Sequence, residues 1–197
     1  MGQNPFENKK PTQEQPNLRV EIATPEDWEA YRELRLCAIT GKDKDMFEIS
    51  QHPEEVEKEK NKTEQEWRDA LSQKDSFVVL SWKGSQATGM GTVSRKEKYW
   101  WIGGGYVRED LRNGGTGKKI FAKRLLKILE TEKQGGIKIR TGMDAENDVS
   151  IHIATLFGFK QTTEDIEEGD FEMELDLTDP EVREEVIRKI NKVLDAR

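Results

Sequence analysis

The feature that most constrains this chain is a glycine-rich turn between a predicted strand, residues 98–107, and a predicted amphipathic helix, residues 115–132. The turn reads Arg112-Asn113-Gly114-Gly115-Thr116-Gly117-Lys118. Such a turn directs several backbone N–H groups and the positive end of the helix dipole at one point. Because glycine has no Cβ, an anion can approach the backbone closely there. The turn therefore predicts a binding site for a diphosphate.

Two common nucleotide-binding motifs do not match this turn. A Walker A loop would need glycine where Arg112 stands and serine or threonine where Lys119 stands. A dinucleotide-binding fingerprint would need a third glycine where Ile120 stands. We therefore exclude both of these nucleotide-binding classes.

Apolar periodicity along the rest of the chain predicts the element order β-α-α-β-β-β-α-β-α-β-β-α. Hairpin-linked strands beside crossover helices indicate an α/β (α+β) fold in a single domain. We expect a mixed, mostly antiparallel six- to seven-stranded sheet, flanked by helices and followed by one extra C-terminal helix. Residues 40–62 are highly charged and lack periodicity, so we expect a mobile loop there.

The predicted domain covers residues 18–177, with a segment on either side of it. Residues 1–17 are polar, which predicts a flexible lead-in without the apolar run of a signal peptide or membrane anchor. Residues 178–197 form a predicted helical appendage with an apolar stripe. The stripe must be covered by its own domain or by a second subunit. We favour the second subunit, which makes a homodimer possible.

Charge and cysteine content exclude further classes of function. The formal net charge of −7 argues against a nucleic-acid partner, since such binding needs a basic surface that displaces counterions. No stretch approaches the roughly 20 apolar residues of a membrane-spanning helix. The one cysteine, Cys37, allows no disulfide within the chain, which suits a cytoplasmic location, and we expect it to be buried. Because His52 and His152 are far apart in the chain, we expect no metal site.

The turn resembles motif A of the GNAT superfamily of N-acetyltransferases, which reads Arg/Gln-x-x-Gly-x-Gly/Ala. Arg112, Gly115 and Gly117 fill this motif. Three further landmarks occur in the family's order and at family-like spacing, so that the resemblance covers residues 18–177 as an acetyltransferase domain. These landmarks are Thr24-Pro25-Glu26-Asp27-Trp28, Gly89-Met90-Gly91, and Asn147 followed by Gly158-Phe159.

The resemblance implies acetyl-CoA (CoA) as co-substrate, without a metal. The turn amides would hold the pyrophosphate, and the strand ending at Val107 would hold the pantetheine arm where the sheet splays open. The Val107 N–H would be the catalytic oxyanion contact while a primary amine of a small molecule or peptide attacks the thioester directly. The cofactor-binding residues implied are Gly105, Tyr106, Val107, Arg112, Asn113, Gly114, Gly115, Thr116, Gly117, Lys118 and Asn147.

Two departures from the family pattern leave the general acid and base unassigned. Many members use a tyrosine seven residues after the asparagine as general acid, and that position is Ala154 here. Some members use a glutamate five residues before the asparagine as general base, and that position is Gly142. Two hypotheses follow: an N-acetyltransferase, or a non-catalytic acyl-CoA-binding module with a regulatory or interaction role.

Three other features leave alternatives open. The glycines at 103–105 either make room for a cofactor or mark a bulge. Among Tyr99, Trp100 and Trp101, we expect packing in the sheet, with one ring that could line an acceptor channel. On the helix after the turn, we expect a solvated basic face from which one or two residues could meet a CoA phosphate. The basic residues of this helix are Lys118, Lys119, Lys123, Arg124 and Lys127.

Overall fold

A computed structural model describes residues 18–132, 136–165 and 170–196, and the predicted lead-in at residues 1–17 lies outside these. In the described residues, seven strands form one sheet in the order β1-β2-β3-β4-β5-β7-β6. The strands are β1 (Leu18–Ile22), β2 (Ser76–Lys83), β3 (Gln86–Arg95), β4 (Trp100–Val107), β5 (Lys138–Asp144), β6 (Lys160–Asp165) and β7 (Asp170–Asp176). The helices are α1 (Trp28–Thr40), α2 (Pro53–Asn61), α3 (Glu64–Leu71), α4 (Thr116–Thr131), α5 (Asp148–Phe157) and α6 (Pro180–Asp195).

All neighbouring strands are antiparallel except β4 and β5, which run parallel. Two parallel strands need a crossover connection, and α4 supplies it between β4 and β5. This arrangement confirms the predicted mixed, mostly antiparallel sheet flanked by helices.

Helices cover both faces of the sheet. On one face, α1 and α3 lie against β2 and β3, and the side chains buried there include Tyr31, Leu34, Trp67, Leu80 and Met90. On the other face lie α4, α5 and α6, and the side chains buried there include Leu125, Ile128, Ile139, Phe157 and Leu175. Because successive side chains of a strand point to opposite faces, β3 directs Met90 into the first core and its neighbouring glycines toward α4.

Helix α6 lies on α4 and closes the second core. Asp179 caps it by accepting a hydrogen bond from the Glu181 N–H at 2.8 Å. Val186 and Ile190 of its apolar stripe are 2% and 0% exposed. The apolar stripe of α6 therefore packs within its own domain. It gives no reason to expect a second subunit, which the sequence had led us to favour.

The prediction of a mobile loop at residues 40–62 is wrong, because α2 forms within it. Two 3-10 turns, Lys44–Met46 and Glu48–Gln51, precede this helix. Pro53 begins α2, and ion pairs between residues three apart stabilise its exposed side. Of the nine residues of α2, Val56 alone is buried. A single buried residue produces no apolar period in the sequence.

The prediction that Cys37 is buried is also wrong, since its side chain is exposed. The next two residues of α1, Ala38 and Ile39, take the buried positions instead. Cys37 therefore lies at the edge of the buried stripe of α1.

Candidate functional site

The candidate site begins where β4 leaves its regular pairing with β3. The register between the two strands slips between Met90 and Thr92, so one residue of β3 faces two residues of β4. Gly104 adopts a positive φ of 55° in this bulge. The glycines at 103–105 therefore mark a bulge, which is one of the two alternatives that the sequence left open.

On its other side, β4 leaves β5. The two strands pair over two residues, the second pair being Trp101 with Arg140. Beyond that pair β5 continues along β7 as far as Asp144, without β4. The edge of β4 beyond Trp101 therefore faces a gap in the sheet.

The Val107 N–H points toward this gap. Successive residues of an antiparallel strand direct their N–H groups to alternate sides. The next residue, Arg108, donates its N–H to the Thr88 carbonyl on the β3 side at 2.9 Å. The N–H of Val107 therefore faces the β5 side, where the gap lies.

The turn after β4 presents a run of backbone amides without protein partners. Asn113 and Gly115 have φ angles of 67° and 78°, so the chain reverses sharply before α4 begins at Thr116. Among the described residues, no group accepts a hydrogen bond from the amides of residues 113–118. The first helical hydrogen bond runs from the Lys119 N–H to the Gly115 carbonyl at 3.0 Å. Unpaired amides at the start of a long helix attract an anion.

Gly117 is the point at which the turn, β4 and α5 meet. A Cβ built on Gly117 would lie 3.6 Å from Ile153 Cδ1 on α5 and 3.8 Å from Val107 Cγ2 at the end of β4. Residues 112–115 just before it are exposed. The structure thus places the turn of motif A against the end of the strand and beside α5.

All three side-chain nitrogens of Arg112 have protein partners. The Nε donates to the Val107 carbonyl at 3.0 Å, and the two terminal nitrogens donate to the Asp43 carboxylate. The hydrogen bond from Arg112 holds the pKa of Asp43 below its usual value. A second ion pair joins the same two segments, between Lys42 and Glu109 at 2.7 Å. Arg112 therefore fixes the shape of the turn. The donors that remain free for a ligand are the backbone amides of the turn.

Asn147 lies at the start of α5. Its side-chain oxygen accepts a hydrogen bond from the Ser150 N–H at 3.1 Å and so caps the helix. In the described part of the chain, no acceptor pairs with the side-chain nitrogen of Asn147. That NH2 group is the part of Asn147 that a ligand could meet.

Neither family position for a general acid or base can supply one here. Ala154 is 0% exposed, in the core between α4, α5 and the sheet. Gly142 lies under the indole of Trp101, because a Cβ on Gly142 would be 3.3 Å from Trp101 Cζ2. The same indole covers Gly103, where a Cβ would be 3.1 Å from Nε1. Trp101 thus lies across β4 and β5 where their pairing ends.

Tyr106 is expected from the sequence as a cofactor-binding residue of the strand, and it also brings an ionisable phenol to the end of β4. Burial raises the pKa of Tyr106, and nearby Cys37 and Asp43 raise it further, so the phenol stays protonated at neutral pH. Its ring lies 6.5 Å from that of Phe47, on the side of the sheet covered by α1. No local sequence pattern indicates that the Tyr106 ring lies on this face, because the bulge changes which side chains of β4 share a face.

Of the five basic residues on α4, Arg124 alone is buried, at 5% exposure. The other four, Lys118, Lys119, Lys123 and Lys127, are partly exposed. The expectation of a solvated basic face is therefore wrong for Arg124.

Among the described residues, no group of three or more His, Cys, Asp or Glu side chains could hold a metal ion. No helix among those residues is both long and apolar enough to cross a bilayer.

Comparison with protein-family models gave no match, and comparison with curated protein sequences gave none either. Solved structures do match over most of the chain. PaiA N-acetyltransferase from Thermoplasma acidophilum, in complex with coenzyme A, has a TM-score of 0.63 and 15% identity, covering 81% of this chain and 99% of its own. An acetyltransferase of the GNAT family from Streptococcus pneumoniae has a TM-score of 0.56 and 14% identity, covering 81% and 98%. The ribosomal-protein-S18-alanine N-acetyltransferase from Escherichia coli has a TM-score of 0.56 and 12% identity, covering 83% and 96%. This chain therefore has the fold of the GNAT superfamily of acetyltransferases.

Proposed function

We propose that this chain is an acetyl-CoA-dependent N-acetyltransferase that moves an acetyl group to a primary amine of a small molecule or peptide. The observation that carries the proposal is the run of unpaired amides at residues 113–118, beside a gap in the sheet. The fold supports it, since the PaiA enzyme of that fold was solved with coenzyme A bound. Coenzyme A carries a diphosphate that suits the amides and a long arm that suits the gap.

Three parts of the chain would hold this co-substrate. The amides of residues 113–118 and the positive end of α4 would bind the diphosphate, with room left by the missing Cβ of Gly117. The free edge of β4 at Gly105, Tyr106 and Val107 would bind the pantetheine amides in the manner of an added strand. The side-chain NH2 of Asn147 would donate to the arm from α5.

The Val107 N–H would stabilise the negative charge that develops on the carbonyl oxygen during attack by the amine. Acetyl-CoA supplies an acyl group that is activated as a thioester. The attack forms a C–N bond and breaks the C–S bond, sulfur leaves as a thiolate, and the proton lost from the amine nitrogen passes to water. A thiol of this kind has a pKa of about 8.5, so the thiolate can leave without prior protonation.

The missing general acid makes a slow enzyme the expected outcome. Loss of a general acid typically lowers a rate by about 10²–10⁴ and does not abolish the reaction. We expect the rate to rise toward alkaline pH, as more of the amine becomes neutral. The protonated phenol of Tyr106 is the ionisable side chain that β4 places nearest to this chemistry.

A non-catalytic acyl-CoA-binding module is the second candidate function. The burial of Ala154 and the cover of Gly142 by Trp101 favour it, since both family positions lack a usable acid or base. Such a module would use the same turn and the same gap for its ligand.

Acetyl-CoA turnover with a panel of small amines, polyamines and peptides, followed as released thiol, separates the two candidates. Thiol release that depends on the amine supports the transferase. CoA binding by calorimetry, without thiol release from any amine, supports the module. A chain that neither binds CoA nor releases thiol would refute the cofactor site that both candidates share.

A further inference from the structure

The guanidinium of Arg124 is buried without an anionic partner. No carboxylate among the described residues pairs with it, and burial lowers the pKa of the guanidinium to about 9. Its Nε is buried and has no hydrogen-bond partner in the described part of the chain. Burying an unpaired charge costs free energy. The guanidinium carbon lies 5.0 Å from the ring centroid of Phe121, and this cation–π contact offsets part of that cost.

Arg124 contacts both strands at the start of the bulge. Its Nη1 donates to the Gly103 carbonyl at 3.0 Å and to the Thr92 carbonyl at 3.4 Å. Thr92 and Gly103 face each other across β3 and β4, and the register slips directly beyond them. One guanidinium therefore links the two strands at the place where their regular pairing ends.

A missing side chain in β3 makes room for the guanidinium. A Cβ on Gly91 would lie 2.9 Å from both Nε and Cζ of Arg124, which is too close. On β4, a Cβ on Gly105 would lie 3.7 Å from Nη2, and Gly105 is exposed. The guanidinium thus reaches from the core to the exposed part of β4.

We propose that Arg124 is a positioning residue, which holds the Gly103 carbonyl, fixes the bulge of β4 and thereby aims the Val107 N–H at the gap. The inference rests on the proposed function, because the aim of that N–H matters only if a thioester carbonyl binds there. Groups that lower stability where they stand are typical of functional sites. Arg124 lowers the stability of the fold, and in return it fixes the geometry of the strand that would bind the co-substrate.

The test compares Arg124→Met and Arg124→Lys with Glu130→Gln, which removes a charge from an exposed position of α4. We expect Arg124→Met to melt at or above the parental temperature, because an unpaired buried charge is gone. We expect its kcat to fall about tenfold and its Kd for CoA to stay within about twofold, since the diphosphate amides lie elsewhere. Arg124→Lys should recover part of kcat, and Glu130→Gln should behave like the parent.

Hydrogen exchange without CoA gives a readout that does not depend on turnover. The amides of residues 103–107 should exchange faster in Arg124→Met than in the parent or in Glu130→Gln. Parental exchange together with parental kcat in a folded variant would overturn the proposal. Faster exchange across the whole chain with a lower melting temperature would also overturn it, because that result indicates a general structural role.

Two further outcomes are decided by the same measurements. If Arg124→Met does not fold, Arg124→Lys decides: faster exchange at residues 103–107 supports the positioning role, and parental exchange with parental kcat overturns it. If the parent binds CoA but releases no thiol, the transferase is refuted. The exchange of residues 103–107 then still decides whether Arg124 fixes the strand.

Discussion

The carboxylate of Asp43 lies 2.5 Å and 3.3 Å from the two terminal nitrogens of Arg112. Asp43 belongs to the segment after α1, whereas Arg112 belongs to the turn before α4. The pair therefore ties a segment on one face of the sheet to the turn that would bind the diphosphate. Its side chains are 28% and 37% exposed, so solvent weakens the interaction.

We expect Asp43→Asn to weaken CoA binding by up to about fivefold, because partly exposed ion pairs contribute about 0.2–1 kcal/mol. The physical reason is that Arg112 no longer fixes the shape of the turn. Calorimetry at low and high salt should show the difference shrinking as salt rises. Asp45→Asn is the matched control, since Asp45 is exposed and makes no ion pair among the described residues. Tighter binding by Asp43→Asn would instead mean that Asp43 competes with the diphosphate for Arg112.

The same pair predicts a pH dependence of stability. Arg112 lowers the pKa of Asp43 below its ordinary value of 3.8. The stabilisation is therefore fully present above the ordinary pKa and is lost as pH falls through the lowered one. Urea unfolding of the parent and of Asp43→Asn should differ at pH 6 and converge toward about pH 2. A difference that grows in acid would contradict this assignment.

We expect Gly117→Ala to separate stability from cofactor binding. The new Cβ would make ordinary contacts at 3.6 Å and 3.8 Å, so the fold accepts it. Alanine is favoured over glycine in a helix by up to about 1 kcal/mol, so the melting temperature should hold or rise. CoA affinity should fall on the order of tenfold, because the Cβ stands where the diphosphate would approach. A folded Gly117→Ala or Gly117→Val protein with parental CoA affinity would rule out this placement of the diphosphate.

The sequence alone suggests that Ala154→Tyr would restore a general acid and raise kcat, whereas the structure predicts a damaged fold. Ala154 has no exposed surface, and overpacking a filled core costs about 1–3 kcal/mol or more. Urea unfolding should show this loss. Thr155→Tyr is the control, because the next residue of α5 is exposed. A stable Ala154→Tyr protein with higher kcat would place residue 154 at the cofactor after all.

The order of the strands and of every helix except α2 could be predicted from the sequence, because the signals for these elements are local. The capping box at the start of α3 is one example: the Thr63 hydroxyl accepts from the Glu66 N–H at 3.3 Å, and the Glu66 carboxylate accepts from the Thr63 N–H. The turn before α4 is another, since Gly115 takes the left-handed φ that favours glycine. Both signals lie within a few residues of the structure that they specify.

The rotation of α5 about its axis could not be predicted. Apolar residues spread over more than half of the circumference of this helix, including Val149, which is 70% exposed, and Ile153, which lies beside Gly117. An apolar face that broad does not indicate which part of it is buried. For that reason the sequence does not reveal that Ala154, at the family position of the general acid, lies in the core.

The placements of Arg124 and Trp101 depend on glycines that are distant in the sequence. Gly91 admits the guanidinium of Arg124, and Gly142 admits the indole of Trp101. Each space exists only after the strands have paired, so no local pattern of residues could reveal it.

Trp101 and Gly142 should act as one unit at the gap. Alanine at position 142 would bring its Cβ to 3.3 Å from Trp101 Cζ2, so the indole must move by a few tenths of an ångström. The indole also lies over Gly103, where its Nε1 is 3.1 Å from the position of the Cβ that glycine lacks. The ring must therefore shift at the place where β4 and β5 part, beside the proposed site of the thioester.

We expect Gly142→Ala to lower kcat several-fold while the Kd for CoA stays close to the parental value, since the diphosphate amides are unaffected. In a Trp101→Ala background the same substitution should change kcat little, because there is no indole to displace. The double-mutant cycle should give a coupling of about 0.5–3 kcal/mol in the activation free energy. Gly142→Glu should likewise fail to raise kcat unless Trp101 is also replaced, since its carboxylate cannot pass the ring. Additive effects of Gly142→Ala and Trp101→Ala would show that the indole does not act through Gly142.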